Sequence, residues 1–408
     1  MYPLKVSENR RYFIDQNGSP FFWLGTTQWQ LVRDNTLDEA ALILDEVVKT
    51  GFTVAQVMLL GPGLELPSLG ATPNVDGALP WIDNNPLLPN EAYFRHVDDV
   101  LEIARQKNVI ISLVVYHQHQ QEIITVENAR FWARWIAKRY RDVPTIVWST
   151  TPHAKPEFAP VLRELMAGLR EGDGGAHLIT CKPDPGPYSS SFIHTEPLLD
   201  FNSIQTYHWV ECIYPLVTTD YRLEPVKPVL MAEGAYETGV VASGYDFDVT
   251  PLWIRRQAYY SYLAGAHHTY GHFDLDQWGR SESWRAALRS PGAIQLSLLR
   301  RIFEARDEWW YLVPDQTLLG IGGQTEGQVL NLAARHKDGK WALVYCAAEA
   351  TFSVDLSGLA GKESEIFWID PRSAEQLAIG HFANRGQEAF STPKGWEDAL
   401  LVIEAVDR

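Results

Sequence analysis

One carboxylate ends an apolar run in the second half of the chain. Glu233 directly follows Pro228-Val-Leu-Met-Ala232, a stretch that is typical of a buried strand. A charged side chain in such a place must be paired or must act on a ligand, because an unpaired buried charge is costly. We therefore expect Glu233 to be catalytic or to bind a ligand, with a structural salt bridge as the alternative.

Histidines suggest a second kind of chemistry. His117-Gln-His119 follows another apolar run, and His267-His268 lies near a later one. Two imidazoles and a carboxylate are a reasonable set of ligands for zinc. In barrel amidohydrolases, however, the HxH motif is expected on the first strand, whereas here it follows the third. We therefore expect polar or surface histidines, with no metal and no cofactor. No phosphate-binding loop and no GxSxG nucleophile elbow occur either.

These residues are carried by an alternation of short apolar strands and amphipathic helices. The strands are predicted at 21–25, 53–58, 109–116, 145–149, 177–181, 203–207, 229–233 and 268–273, and the helices at 37–50, 91–107, 127–140, 157–171, 251–264 and 291–305. Asn17-Gly18 predicts a hairpin turn before them, and Thr36 with Glu39 predicts a capping box. Eight strands in this alternation favour an α/β fold, a (β/α)₈ barrel, over an open sheet. The segments 182–202 and 208–228 are mostly loop-like.

The pattern changes after about residue 311. Strand-like runs at 329–334, 341–347, 352–356, 365–369 and 399–404 are separated by Gly, Asp-Gly and Asp-Pro turns. No helical period is visible there. We predict a barrel domain over 1–310 and a small all-β sandwich over 311–408.

Composition excludes several classes of protein. The 408 residues carry a formal charge of −16, which opposes binding to nucleic acids and anionic membranes. Three widely spaced cysteines cannot form a disulfide framework, and no apolar leader or membrane-spanning run is visible. These features predict a cytoplasmic protein, and they leave a homo-oligomer open. Fifteen Trp, 17 Tyr and 16 Phe include flat amphipathic rings that suit sugars as well as cores.

Polar and aromatic side chains cluster at the predicted strand ends. In such barrels the active site forms at the carboxyl ends of the strands. The residues that we expect to bind substrate there are Trp29, Gln28, Gln56, His117, Trp148, Gln205, Tyr207, His208, Tyr236 and Trp278. Each ring alone is typical of a core. Together at one face of a barrel they favour a carbohydrate site, with Trp29, Trp148 and Trp278 stacking on the sugar.

Several motifs in order resemble a known family. They are Phe21-Phe-Trp-Leu-Gly-Thr-Thr-Gln-Trp29, Gly51-Phe-Thr-Val-Ala-Gln56, Tyr93-Phe-Arg-His-Val-Asp98, Ile146-Val-Trp148, Pro228-Val-Leu-Met-Ala-Glu233 with Tyr236-Glu237, and Leu263-Ala-Gly265 with Thr269-Tyr-Gly271. The sequence resembles the apiosidase-like glycoside hydrolases. Trp368-Ile-Asp-Pro-Arg372, Gly380 and Leu400-Leu-Val-Ile-Glu404 resemble the collagen-binding-type β-sandwich that follows such barrels. The resemblance covers nearly the whole chain and implies a retaining glycosidase that acts on complex glycans.

The resemblance also implies which residues are catalytic. Retaining enzymes use two carboxyl groups about 5–5.5 Å apart, one as nucleophile and one as acid/base. Glu233 takes the place of the nucleophile. The acid/base should end the fourth strand, where the family reads Trp-x-x-Gly-Gly-Asp and this chain reads Trp148-Ser-Thr-Thr-Pro-His153. A second carboxylate is lost where the family's Gly-Asp-Thr is replaced by Gly25-Thr26-Thr27.

Three interpretations of this replacement are open. His153 can serve as the acid/base, because an imidazole gives and takes protons near neutral pH. Alternatively, Glu157, Asp274 or Asp276 supplies the carboxyl group from a loop. In the third interpretation the protein is a non-catalytic carbohydrate-binding protein on a degenerate barrel. We expect the C-terminal domain to be a packing partner rather than a collagen binder.

Overall fold

The N-terminal segment forms a small antiparallel sheet in front of the main fold. The computed structural model describes residues 3–61, 71–184, 189–239, 247–276 and 282–406. The sheet consists of β1 (Lys5–Val6), β2 (Phe13–Ile14) and β3 (Pro20–Phe21). Gly18 has a φ of +81° in the turn between β2 and β3, a conformation that glycine adopts without strain. The predicted hairpin is therefore confirmed.

Eight parallel strands close into a barrel. They are β4 (Leu24–Thr27), β5 (Val54–Met58), β6 (Ile110–Val114), β7 (Ile146–Ser149), β8 (Ile179–Cys181), β9 (Phe201–Tyr207), β10 (Val229–Gly234) and β11 (His267–Tyr270). Strands that are consecutive in sequence pair with one another, and β11 pairs with β4 to close the ring. The strands are buried on both faces, which explains their nearly continuous apolar sequences. The predicted barrel is confirmed, although its first strand begins at Leu24 because Phe21 belongs to β3.

Helices surround the barrel. They are α1 (Leu37–Lys49), α2 (Glu91–Gln106), α3 (Ala129–Arg139), α4 (Ala159–Asp173), α5 (Ile213–Tyr221), α6 (Pro251–Leu263), α7 (Phe273–Asp276), α8 (Trp284–Ala287) and α9 (Pro291–Glu304). The capping box at the start of α1 is present, with the Glu39 amide donating to Thr36 and the Thr36 amide donating to Glu39. Within the described ranges, no helix combines the length and the apolar character that crossing a bilayer requires.

Helix α5 corrects the prediction of a loop over 208–228. Its sequence contains Pro215 and four β-branched residues, so it shows neither a strong helix propensity nor a clear amphipathic period. Ile213 and Val217 are nevertheless fully buried. Packing against the barrel therefore stabilises a helix that local sequence preference does not indicate.

The C-terminal part is all-β, as predicted. Its strands are β12 (Leu312–Pro314), β13 (Leu319–Gly322), β14 (Asn331–His336), β15 (Trp341–Cys346), β16 (Thr351–Asp355), β17 (Glu363–Ile369), β18 (Gln376–Ala383), β19 (Gln387–Ser391) and β20 (Ala399–Val406). They form a six-stranded sheet in the order β12-β14-β15-β20-β17-β18 and a three-stranded sheet in the order β13-β16-β19. The strands of both sheets share one buried apolar core, which includes Val344, Phe352 and Leu401.

A buried ion pair joins the β-domain to the barrel. Arg255 of α6 donates to both carboxylate oxygens of Asp398 at 2.8 and 2.7 Å, and each residue is 1% exposed. The Tyr345 hydroxyl also donates to Asp398, at 2.8 Å. The rings of Tyr259 and Tyr345 stack with their centroids 4.4 Å apart. Because a buried charge needs its partner, this contact holds the two parts together.

Candidate active site

Glu233 lies at the carboxyl end of β10 with both carboxylate oxygens engaged. Lys182, which directly follows β8, forms an ion pair with Oε2, and the Tyr236 hydroxyl donates to Oε1. Glu233 is 6% exposed and Lys182 is 2% exposed. Glu233 thus has the salt bridge that was its alternative role, and this salt bridge lies at the carboxyl ends of the strands, where active sites form in barrels of this type.

Trp29 completes this group of side chains. Its indole Nε1 donates to the Tyr236 hydroxyl at 2.8 Å. Its ring also lies beneath the Lys182 ammonium, which is 4.9 Å from the ring centroid, a cation–π contact. Trp29 is 3% exposed, and it packs with Met58 and Val114. The predicted stacking of Trp29 on a sugar is therefore replaced by a supporting role, since little of the ring is accessible.

His153 follows β7 and contacts a carboxylate that the sequence analysis did not single out. Its Nδ1 lies 3.1 Å from Asp184 Oδ1, and Lys155 Nζ lies 3.5 Å from Asp184 Oδ2. Burial alone would raise the pKa of Asp184, but its hydrogen bond with His153 and the charges of His153 and Lys155 outweigh burial, so the pKa lies below its ordinary value. Asp184 is therefore an anion beside the imidazole.

Gln205 connects the ends of four strands. It pairs with Glu233 in the register of β9 and β10. Its Nε2 donates to the carbonyls of Pro152 at 2.9 Å and Pro183 at 2.7 Å, and it lies 3.3 Å from His153 Nδ1. Gln205 is fully buried. The segments that carry His153 and Asp184 are thereby fixed relative to the strand that carries Glu233.

His117 contributes a neutral imidazole to the same region. Its ring centroid lies 5.6 Å from that of His153 and 4.5 Å from that of His119. Burial, together with the charges of His153, His119 and Lys182, lowers the pKa of His117 to about 2. Because its Nδ1 accepts from the His119 amide at 3.2 Å, the proton is on Nε2. Within the described ranges, no three His, Cys, Asp or Glu side chains are grouped as metal ligands.

Several other predicted substrate-binding residues also lie at or inside the barrel. Tyr207 ends β9 with a φ of +46°, and its ring centroid is 6.4 Å from that of His153. Gln56 is buried and donates to the Ala232 carbonyl of β10 at 3.3 Å, across the barrel. His208 packs against Trp209, with the ring centroids 4.7 Å apart.

Trp148 corrects the prediction of a sugar platform. It is fully buried, and its Nε1 donates to Asp173 of α4 at 2.9 Å. This contact with α4 means that the ring points outward to the surrounding helices. Because successive strand residues point to opposite faces, a ring on the helix side does not enter the barrel. Gln28 lines a small cavity with Val47 of α1 and Ala293 of α9, and no contact joins it to Glu233 or His153 in the described structure. Trp278 lies outside the described residues.

The carboxylates proposed as alternative acid/bases are not paired with Glu233 in the described ranges. Glu157 is exposed on a short 3₁₀ helix, and Asp274 lies in α7 with its amide donating to His272. The side chain of Asp276 lies outside the described residues. Glu237 is buried but accepts from Tyr270, Ser290 and the Gly292 amide, so it supports the start of α9.

Lys182 and Asp184 are the site residues that sequence reasoning missed. Both lie in the segment after the fifth barrel strand, which the sequence analysis treated as a loop. A signal was present, because Lys182 comes directly after the apolar strand that ends at Cys181. Like Glu233, Lys182 is a charged residue next to a buried strand, and such a charge needs a partner.

Comparison with known proteins agrees with this architecture. Residues 7–310 match the family described as "Apiosidase-like, catalytic domain". Residues 313–404 match the family described as "Putative collagen-binding domain of a collagenase". No curated protein matches the sequence at a significant level.

Solved structures show the same overall fold. One described as a glycoside hydrolase is 25% identical with a TM-score of 0.88, over 98% of this chain and 96% of that chain. A glycoside hydrolase family 5 structure from Bacteroides vulgatus ATCC 8482 has the same identity and TM-score, over 98% and 93%. An endo-1,4-beta-mannanase from Rhizomucor miehei, 13% identical with a TM-score of 0.52 over 72% and 99%, shares the fold alone. The expected glycoside hydrolase is thus confirmed at the level of family and fold, and the chain belongs to the family of apiosidase-like catalytic domains.

Proposed function

We propose that the protein hydrolyses glycosidic bonds of an oligosaccharide or glycoside with retention of configuration. Glu233 is the nucleophile and His153 is the acid/base. The observation that carries the proposal is that Glu233, near the end of β10, and His153, in the segment after β7, lie at the same mouth of the barrel. Gln205 links their segments through the register of β9 with β10 and through its donation to the Pro152 carbonyl. Carbohydrate is the substrate class of this proposal, and a cytoplasmic location and a homo-oligomer stay predictions.

The contacts of Glu233 suit a nucleophile. Lys182 and Tyr236 orient the carboxylate, and a carboxylate oxygen that accepts one hydrogen bond retains a further lone pair. When Glu233 forms the glycosyl ester it loses its charge, and Lys182 then favours its return to a carboxylate. The ion pair therefore supports the second step of a retaining mechanism.

His153 supplies the proton that the leaving group needs. It replaces the family's carboxylic acid at the end of the fourth barrel strand. We expect His117 and Tyr207, whose rings lie near His153, to bind substrate hydroxyls beside it. Glu157 is exposed and the Asp274 amide donates to His272, whereas Gln205 links the segment of His153 to the strand of Glu233, which favours His153 over Glu157 and Asp274.

The domain from 311 to 408 acts in this proposal as a packing partner for the barrel. Its buried Asp398 is bound by Arg255, and its Tyr345 stacks on Tyr259. The face of the domain next to α6 therefore stabilises the structure rather than binding a partner.

The test is an assay of wild type and Glu233→Gln on a panel of aryl glycosides and glycans. We expect turnover by the wild type and its loss in Glu233→Gln. Glu237→Gln is the matched control, because it changes a neighbouring buried carboxylate that supports α9, and it should retain turnover. Binding of glycans without turnover in wild type would instead identify a non-catalytic carbohydrate-binding protein.

A further inference from the structure

We propose that Asp184 is a positioning residue that holds His153 with a proton on Nδ1, so that Nε2 transfers the proton in catalysis. The inference rests on the proposed function, since it concerns the acid/base of that reaction. Asp184 lies 3.1 Å from His153 Nδ1 and can therefore orient the imidazole, as the third group of a catalytic triad orients its base.

The hydrogen bonds of Gln205 determine the tautomer. Its Nε2 has two hydrogens, and two carbonyls accept from it, those of Pro152 at 2.9 Å and Pro183 at 2.7 Å. The contact of 3.3 Å between Gln205 Nε2 and His153 Nδ1 is therefore not a donation to the imidazole. Nδ1 is left with Asp184 as its acceptor. Nδ1 must carry the proton, because a deprotonated Nδ1 and an ionised carboxylate are both acceptors and could not form a hydrogen bond with each other.

Asp184 is held firmly enough to orient its partner. Its amide donates to the Ala154 carbonyl at 2.7 Å, and the Ala154 amide donates to the Lys182 carbonyl at 2.8 Å. Ala154 and Pro183 form a parallel bridge that extends the pairing of β7 with β8. The segments that carry the imidazole and the carboxylate are therefore joined by backbone hydrogen bonds on both sides of the pair.

A second His–Asp pair in the chain shows what a purely structural pair looks like. His177 Nδ1 lies 3.1 Å from Asp173 Oδ2, but His177 Nε2 also bonds the Val143 carbonyl at 2.9 Å. Both side chains of that pair are at most 1% exposed. His153 Nε2 has no hydrogen-bond partner among the described residues, and its side chain is 14% exposed. His153 therefore keeps one nitrogen for an external group.

The charges around His153 are compatible with proton transfer. The titratable groups that face it in the described structure are Asp184, His117, Tyr207 and, beyond Asp184, Lys155. His117 is neutral, because its pKa is lowered to about 2 by burial and the neighbouring charges of His153, His119 and Lys182. Asp184 is thus the one anion in direct contact with the imidazole within that set.

The proton balance of the reaction follows from this arrangement. As Glu233 bonds to the anomeric carbon and the glycosidic bond breaks, imidazolium Nε2–H gives its proton to the leaving oxygen. In the second step neutral Nε2 takes a proton from the water that attacks the anomeric carbon, and Glu233 leaves as a carboxylate. Asp184 stays ionised throughout and favours the imidazolium by its charge.

The test compares Asp184→Asn with wild type on aryl glycosides of good and poor leaving groups. We expect a loss of about 10–100-fold on poor leaving groups and little change on activated ones, since only the former need full protonation. The alkaline limb of the pH–rate profile should move to lower pH. Asp184→Glu should recover part of the loss. Asp173→Asn, the matched change in the structural pair, should leave the leaving-group dependence unchanged.

A second measurement does not depend on turnover. Nitrogen-15 NMR of the histidine rings should show His153 protonated on Nδ1 in neutral wild type and a mixture of tautomers in Asp184→Asn. An unchanged tautomer together with an unchanged leaving-group dependence would overturn the inference. If wild type shows no glycosidase activity, the proposed function fails, and the inference fails with it. The NMR result then still reports whether the His153–Asp184 hydrogen bond exists.

Discussion

Lys182 and Glu233 form a buried ion pair across a strand that lies between them in the barrel. Lys182 follows β8, Glu233 ends β10, and β9 separates the two. Tyr236 and Trp29 extend the contact into a closed group around the carboxylate. The charge of the proposed nucleophile is therefore balanced by a cation that lies inside the site.

Removing the cation should destabilise the fold more than removing both partners. Lys182→Met leaves Glu233 as an unpaired buried carboxylate and should lower the free energy of unfolding by about 3–5 kcal/mol. The double variant Lys182→Met with Glu233→Gln should recover part of that loss. Urea denaturation of the four proteins of this cycle measures the effect. A loss in the double variant equal to the sum of the losses in Lys182→Met and Glu233→Gln would show that the pair is not coupled.

Loss of the Tyr236 hydroxyl should weaken catalysis. Tyr236→Phe removes the donor to Glu233, and a hydrogen bond to a charged group contributes about 1.5–3 kcal/mol. We expect kcat/KM to fall by about 10–100-fold. Trp29→Phe removes the indole donor behind the hydroxyl but keeps an aromatic ring beneath Lys182, and it should cost less. An unchanged rate in Tyr236→Phe would mean that the hydroxyl does not support the nucleophile.

His153→Ala should separate substrates by leaving group. Loss of a general acid costs about 10²–10⁴-fold on substrates that need protonation, whereas an activated leaving group is spared. The alkaline limb of the pH–rate profile should also disappear. Glu157→Gln and Asp274→Asn test the alternative carboxylates and should leave rates unchanged. Equal losses on all leaving groups in His153→Ala would exclude His153 as the acid.

Buried histidines should make the fold sensitive to acid. Burial lowers the pKa of His267 and of His268 to about 3. The unfolded chain takes up protons at these residues below about pH 6.5, whereas the folded chain does not. Their contribution to stability is therefore present above pH 6.5 and is lost as the pH falls toward 3.

His267→Leu should flatten this dependence. The free energy of unfolding should fall less steeply between pH 6 and 4, by up to about 1.4 kcal/mol per pH unit. Chemical denaturation at several pH values provides the measurement. The exposed His381 offers a control substitution, His381→Leu. A slope in His267→Leu equal to that of wild type would contradict the burial argument.

The sequence was sufficient to predict the barrel but not the direction of every side chain at its mouth. Eight apolar runs and six amphipathic helices alternate along the chain, and so long a pattern predicts the barrel despite local exceptions such as the missed α5. Trp148 shows what the pattern leaves out. The position of a residue at a strand end does not determine whether its ring enters the barrel or packs on the helices. A shift of one residue in the register moves the side chain to the opposite face of the strand.

The site was predicted in the same partial way. Glu233 was proposed because it follows an apolar strand, and His153 because it stands where the resemblance places an acid; their catalytic roles stay predictions. Lys182 and Asp184 were missed because their segment has no periodic pattern. Their importance comes from contacts with Glu233 and His153, residues 51 and 31 positions away in the chain. The parallel pairing of β7, β8, β9 and β10 brings them together.

The most direct test of the account is to trap the covalent intermediate. Wild type would be incubated with activated 2-deoxy-2-fluoro glycosides from the sugars it turns over, digested, and examined by mass spectrometry. We expect the mass of one sugar to be added to the peptide that contains Glu233, and Glu233→Gln to stay unlabelled. A label on a different residue, or turnover of these sugars with inverted configuration, would contradict it.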